Sequence, residues 1–203
     1  MAEAPRIGLF GGSFDPPHLA HRALADLALR ELGLSELRWI PAGQPWQKAG
    51  RGLASTAHRE AMLRLAMGDE PAFTLDLREL RRTGPSYTAD TVRELQLEHP
   101  GAQWVLVIGQ DQYARLHTWH QWRWLLDQVS LAVAAREGQT PVPSPEVAAV
   151  PHRVQHLPLP EMPVSSTAVR QAAARGEELE PMVGKAVAGY IALHHLYRGQ
   201  TPN

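Results

Sequence analysis

The chain has 203 residues, 44% hydrophobic and 20% charged, an ordinary globular composition with enough material for a substantial core. Twenty Lys and Arg against twenty-one Asp and Glu give a formal net charge of -1, which excludes the broad basic surface of a non-specific nucleic-acid binder, and no apolar run reaches the roughly 18 residues of a membrane-spanning helix. With no cysteine there is no disulfide, thiolate nucleophile or Cys-ligated zinc, and because M-A-E-A-P-R-I-G-L-F lacks a signal-peptide core the cytoplasm is the expected compartment.

In chain order, Arg6 to Phe10 reads as a short buried strand that Gly11 and Gly12 break, and Asp15-Pro16-Pro17 prepares a helix over about His18 to Leu32. A second strand is expected at Leu37 to Pro41, a helix at about Ser55 to Met67 and a third strand at Phe73 to Leu77. Thr88 to Glu98 has helical spacing. Trp104 to Ile108 and Ser130 to Ala135 read as central parallel strands. Seven of the seventeen prolines fall between Gly138 and Pro163, so extended loop is expected there, with one strand near Arg153 to Leu157. Two helices are expected from Ser165 onwards. Strands alternating with helices predict a doubly wound, Rossmann-like α/β fold, as one domain over residues 1–203 with a helical C-terminal segment at about 165–198.

Two segments have the chemistry of anion sites. In G-G-S-F-D-P-P-H-L-A-H, residues 11–21, the glycines admit close backbone approach and the helix start offers amides to a phosphate. His18 and His21, three apart at that helix start, project to one side; taken alone they also fit a capped helix with surface histidines. No third ligand stands at a spacing that suits zinc, so no protein-held metal is expected. In V-S-S-T-A-V-R, residues 164–170, Ser165 suits an N-cap, Ser166 and Thr167 add hydroxyl donors, and Arg170 lies one turn on.

These two segments resemble the H-x-G-H and S-S-T-x-x-R signatures of the nucleotidyltransferase superfamily, with Ala20 in place of the usual glycine. P-S-Y-T-A-D-T (85–91), I-G-Q-D (108–111), Thr118-Trp119, L-L-D (125–127) and the closing Y-I-x-x-x-x-L-Y-R (190–198) resemble, in order and spacing, the bacterial nicotinate-nucleotide adenylyltransferases. The resemblance implies transfer of the adenylyl group of ATP to nicotinate mononucleotide, with Mg²⁺ accompanying ATP. An enzyme preferring nicotinamide mononucleotide and a non-catalytic nucleotide sensor are the alternatives. It also implies that His18, His21 and Arg170 are catalytic, and that Gly11, Gly12, Ser13, Phe14, Arg136, Ser166 and Thr167 bind ATP. Lys48, Ser86, Tyr87, Thr88, Asp111, Trp119 and His120 are implied to bind the nicotinate nucleotide.

The residues of that second group make physical sense for a pyridine carboxylate. Ser86, Tyr87 and Thr88 open a helix whose amides suit a carboxylate better than a carboxamide, and Trp119 offers a flat face for a heterocycle. Trp122 and Trp124 are expected to pack instead. Asp111, at a strand's carboxyl end, suits ribose hydroxyls. For Arg136 a surface salt bridge is an equally fair reading. Lys48 ends a P-A-G-Q-P-W-Q-K segment in which Gln47 replaces the family's common histidine, within a loop from Gly43 to Ala54 expected to close over substrates. No nucleic-acid or membrane partner is expected, and the family includes both monomers and higher assemblies.

Overall fold

A computed structural model of the chain describes residues 4–43, 54–136 and 138–198. Its six strands are β1 (Arg6–Gly12), β2 (Glu36–Pro41), β3 (Phe73–Leu75), β4 (Gln103–Gly109), β5 (Ser130–Arg136) and β6 (Val154–Leu159). They form one sheet in the order β3-β2-β1-β4-β5-β6, with every pair parallel. The chain winds outwards from β1 to β3, crosses back, and winds the other way from β4. The crevice at the carboxyl ends of β1 and β4 is therefore the switch point at which this class of sheet receives ligands.

Period-two alternation divides the core between the two faces. Along β4, Trp104, Leu106 and Ile108 enter one cluster while Val105 and Val107 enter the other. The helices α1 (Leu19–Leu32) and α2 (Thr56–Met67) give Leu24, Leu27, Ala28 and Leu63 to the second cluster. After the short α3 (Arg78–Arg81), α4 (Thr88–Glu98) gives Val92 and Leu95 to the first. Following α5 (Gln110–Ala114), α6 (Trp122–Gln128) adds Trp122, Leu125 and Leu126 on that same face. Trp122 is thus core and Trp124 packs beside it, as expected. Beyond α7 (Pro145–Ala148), the helices α8 (Ser166–Ala174), α9 (Glu180–Val183) and α10 (Lys185–Leu193) build a third cluster that takes in Met62 of α2. None of the described helices is long and apolar enough to cross a membrane.

Four local expectations are corrected. Gly11 and Gly12 do not break β1; they pair with Ile40 and Pro41 as its last two residues, so the strand carries the glycines to the carboxyl end of the sheet. The third strand ends at Leu75 because Asp76 starts a turn: its Oδ1 accepts from the Arg78 amide at 3.1 Å, which opens α3. Within the proline-rich segment Ser144 caps α7, with Pro145 in the first turn where a missing N–H costs nothing. The C-terminal part holds a further single turn, α9, between its two longer helices.

Candidate active site

β1 delivers Gly11 and Gly12 to the switch point, and the turn that follows is held by packing. Phe14 has φ 45°, a left-handed conformation unfavourable for a bulky side chain, and its ring is fully buried 5.4 Å from Phe10 and 5.5 Å from Trp39. A Cβ on Gly12 would stand 3.0 Å from that ring, so a side chain there would press on the protein's own packing. Gly11 differs: a Cβ there would meet nothing closer than the Ile40 carbonyl at 3.9 Å. The open space over Gly11 faces the crevice.

His18 is the N-cap of α1 and is buried, its ring stacked on His21 at 3.6 Å between centroids. Burial lowers its pKa from 6.5 to about 4, so the imidazole is neutral at pH 7. Its Nδ1 is buried without a hydrogen-bond partner among the described residues. The His18 amide donates to Nδ1 of His21 at 3.1 Å, so in neutral His21 the proton belongs on Nε2.

α8 is docked onto the same turn from the far end of the sequence. Ser165 caps it by accepting from the Ala168 amide at 3.1 Å, while Ser166 Oγ donates to the Pro16 carbonyl at 2.9 Å. Arg170 donates to the Asp15 carbonyl at 2.7 Å and to Thr167 Oγ1 at 3.3 Å. Residues 11–21 and 164–170 therefore form two walls of one open cleft of about 1220 Å³, which Asp111 and Arg136 also line. Arg136 is in addition paired with Glu161 at 3.3 Å, both well exposed, a contact of little energetic weight.

Beneath the cleft lies a buried ionic hub. Arg59 of α2 donates to the carbonyls of Ser13, Ala42 and Gly43 at 3.1, 2.7 and 3.3 Å, tying the carboxyl ends of β1 and β2 together. Its charge faces Asp15, which is 1% exposed and accepts at Oδ1 from the Tyr197 hydroxyl at 2.7 Å and the Ala54 amide at 3.1 Å. Burial lowers the Arg59 pKa, and burial together with Asp15 raises that of Tyr197. The sequence reading missed this hub. The available signal was an arginine on the apolar stripe of α2, in register with Met62 and Leu63.

On the other side of Gly11 to Ser13 lies a smaller cavity of about 200 Å³. Its walls include Ser86, Tyr87 and Thr88 at the start of α4, together with Trp119, His120 and the buried Glu79. Tyr87 and His120 stack at 4.3 Å between centroids, making a flat aromatic pair in the wall. Gln112, whose Oε1 accepts from the Gly109 amide at 3.0 Å, touches both compartments. The described residues of the small cavity include no lysine or arginine.

A family model described as cytidylyltransferase-like matches residues 9–172, which span both compartments. A chain from Methylibium petroleiphilum named "Probable nicotinate-nucleotide adenylyltransferase" is 55% identical, over 97% of this chain and 96% of that one. One of the same name from Bordetella pertussis is 45% identical, over 95% and 98%. The chain belongs to the nicotinate-nucleotide adenylyltransferase family. Among solved structures, the Plasmodium falciparum nicotinic acid mononucleotide adenylyltransferase complexed with NaAD superimposes with a TM-score of 0.77 at 17% identity, covering 95% of this chain and 97% of that one, which supports the shared fold.

Within this member of the nicotinate-nucleotide adenylyltransferase family the expected residues separate into two groups. His18, His21, Arg136, Ser166, Thr167 and Arg170 line the large cleft, Ser86, Tyr87, Thr88, Trp119 and His120 line the small cavity, and Gly11, Gly12 and Ser13 line both. Two residues stand apart from these groups. Asp111, grouped with the nicotinate residues, faces the large cleft and does not line the small cavity. Phe14 is buried packing beneath the turn and lines neither compartment. Gln47, Lys48 and most of the Gly43 to Ala54 loop lie outside the described residues.

Proposed function

We propose that this protein, working in the cytoplasm as a single domain, transfers the adenylyl group of ATP to nicotinate mononucleotide in NAD biosynthesis, forming nicotinate adenine dinucleotide and pyrophosphate. The observation that carries the reading is the meeting of two chemically different compartments at Gly11 to Ser13. The cleft with imidazoles, Arg170 and an α-helix N-terminus suits a triphosphate, and the aromatic cavity against the start of α4 suits a pyridine ring bearing a carboxylate. Family membership supports the same pair of substrates.

In this reading a phosphate oxygen of the mononucleotide attacks the α-phosphorus of ATP as the bond to pyrophosphate breaks. No side-chain nucleophile takes part; the chain positions two polyanions and neutralises charge. His18 and His21 serve the α-phosphate. His21 Nε2–H is oriented by the bond that its Nδ1 accepts, and neutral His18 gains its proton more readily as negative charge grows beside it. The Gly11 to Ser13 backbone lies along the phosphates, Ser166, Thr167 and Arg170 hold the leaving pyrophosphate, and Arg136 lies on the adenosine side. Asp111 takes ribose hydroxyls where the cleft approaches the cavity. Trp119, Tyr87 and His120 stack about the pyridine ring and Ser86 to Thr88 receive its carboxylate, while Lys48 is assigned to the nicotinate nucleotide by family resemblance.

Among the described residues no three His, Asp or Glu side chains gather to hold a metal. In this reading Mg²⁺ would enter with ATP, held mainly by its phosphates and by water, and would neutralise phosphate charge. Pyrophosphate release from ATP and Mg²⁺, with the acid or the amide mononucleotide offered separately, tests the proposal. Release favouring the acid is expected. Preference for the amide would overturn the substrate assignment, and no release with either would favour a nucleotide-binding sensor.

A further inference from the structure

The small cavity poses an electrostatic problem. If a pyridine carboxylate enters it, the ligand meets a protein carboxylate already there, because Glu79 is 8% exposed and lines the wall. Like charges in a partly desolvated site repel strongly, and no lysine or arginine is among the described lining residues. Glu79 would favour the amide instead, since a carboxamide has N–H donors for it. Among the described residues the start of α4 has to overcome this, unless a cation acts from behind the wall.

Arg82 is in that position. Its side chain is 16% exposed, and it donates to Ser86 Oγ at 2.5 Å, to Thr91 Oγ1 at 3.3 Å from both terminal nitrogens, and to Glu94 Oε1 at 2.9 Å. Thr91 Oγ1 in turn donates to Glu79 Oε1 at 2.7 Å. Ser86 and Thr91 both line the cavity, so each places one hydroxyl between the guanidinium and the ligand space. A hydroxyl whose oxygen accepts from a guanidinium becomes a stronger donor on its other side. Arg82 thereby directs two O–H groups towards negative charge in the cavity: both the Thr91 and the Ser86 hydroxyls lie against Glu79, and that of Ser86 can turn to an entering carboxylate beside it. Burial raises the Glu79 pKa, which further weakens its repulsion of an entering carboxylate.

We infer that Arg82 is a positioning residue that sets the preference for acid over amide, acting through the Ser86 and Thr91 hydroxyls against the opposing pull of Glu79. This rests on the substrate assignment proposed above and deepens it.

The test compares kcat/KM on nicotinate mononucleotide and nicotinamide mononucleotide for the unaltered protein and for Arg82→Gln, Arg82→Lys and Glu79→Gln, each checked for folding by thermal melting. Arg82→Gln is expected to lower the acid-to-amide ratio about tenfold, the scale of one hydrogen bond to a charged group, chiefly through KM for the acid and with KM for ATP unchanged. Arg82→Lys keeps the charge and should recover part of the ratio; Glu79→Gln should raise it. A folded Arg82→Gln that loses acid and amide activity equally, or an unchanged ratio, overturns the inference while the substrate assignment stands. If Arg82→Gln does not fold, Glu79→Gln decides, and a ratio at or below that of the unaltered protein overturns the proposal. Should the unaltered protein use neither nucleotide, both readings fall.

Discussion

The two compartments that meet over Gly11 to Ser13 handle charge in opposite ways. The large cleft exposes its donors directly, with His18, His21 and Arg170 along its walls and the start of α1 between them. Among the described residues the small cavity keeps its nearest cation one side chain away: Arg82 stands behind Ser86 and Thr91, and the wall itself combines aromatic and aliphatic side chains with Glu79. A transferring triphosphate develops new charge that must be met at once, so direct donors stabilise the transition state. A ring that is only recognised keeps its charge throughout, and there a moderated field provides selectivity with less desolvation cost.

The substitution with the largest expected effect acts on the partition common to both compartments. Arg59→Ala leaves Asp15 buried without its counter-charge and releases three carbonyls at the ends of β1 and β2, so a loss of about 3–5 kcal/mol of stability is expected in urea denaturation. Little change would mean that the two walls are held apart by something else.

His18→Ala should act on the cleft alone. We expect kcat to fall by about 100-fold with little change in KM for ATP, measured by steady-state pyrophosphate release; an equal effect on both would mean that His18 only binds the ground state. The same residue has a pH signature. Its folded pKa of about 4 lies below the unfolded value of 6.5, so the unfolded chain takes up the proton first as pH falls. The stability tied to neutral His18 is complete above pH 6.5 and is lost as pH falls towards 4, by up to about 3 kcal/mol. Denaturation curves at pH 7 and pH 5 should show a smaller decline for His18→Ala than for the unaltered protein.

Trp119→Ala sharpens the comparison from the cavity side, raising KM for the mononucleotide about tenfold, the scale of a lost stacking face, while that for ATP stays nearly constant. A matching rise for ATP would move Trp119 out of the nicotinate group. The smallest pair separates two neighbouring glycines. Gly12→Ala presses on the Phe14 ring and should cost about 1 kcal/mol in thermal melting, whereas Gly11→Ala should leave stability unchanged and weaken substrate binding where the backbone needs close approach. Equal stability losses at both positions would break the distinction between packing and ligand space.

Much of this architecture is legible in local pattern. The five-residue apolar runs of β4 and β5, the helical spacing of α1 and the serine caps of α2 and α8 depend on near neighbours and on period, so one sequence suffices to find them. Both phosphate-type segments were recognisable for the same reason, since each is a contiguous turn and helix start. Arg59, Glu79 and Arg82 were not, because a charged residue on a helix or just past its end usually faces water. Only the packing of α2 beneath the β1 turn, and of α3 beside α4, takes these three out of solvent.

The sequence by itself determined the α/β class, the order of its elements and the family. Those follow from periodicity, glycine and proline placement and contiguous motifs, all of which are local properties of the chain. The tertiary structure alone decided that Ser166 and Arg170 close on Pro16 and Asp15 across some 150 residues, that Asp111 faces the cleft, and that Arg82 stands behind Ser86. Those relations depend on the crossover at the switch point and on low-dielectric contacts between distant segments, where both the strength and the sign of an electrostatic effect depend on how far each group is buried.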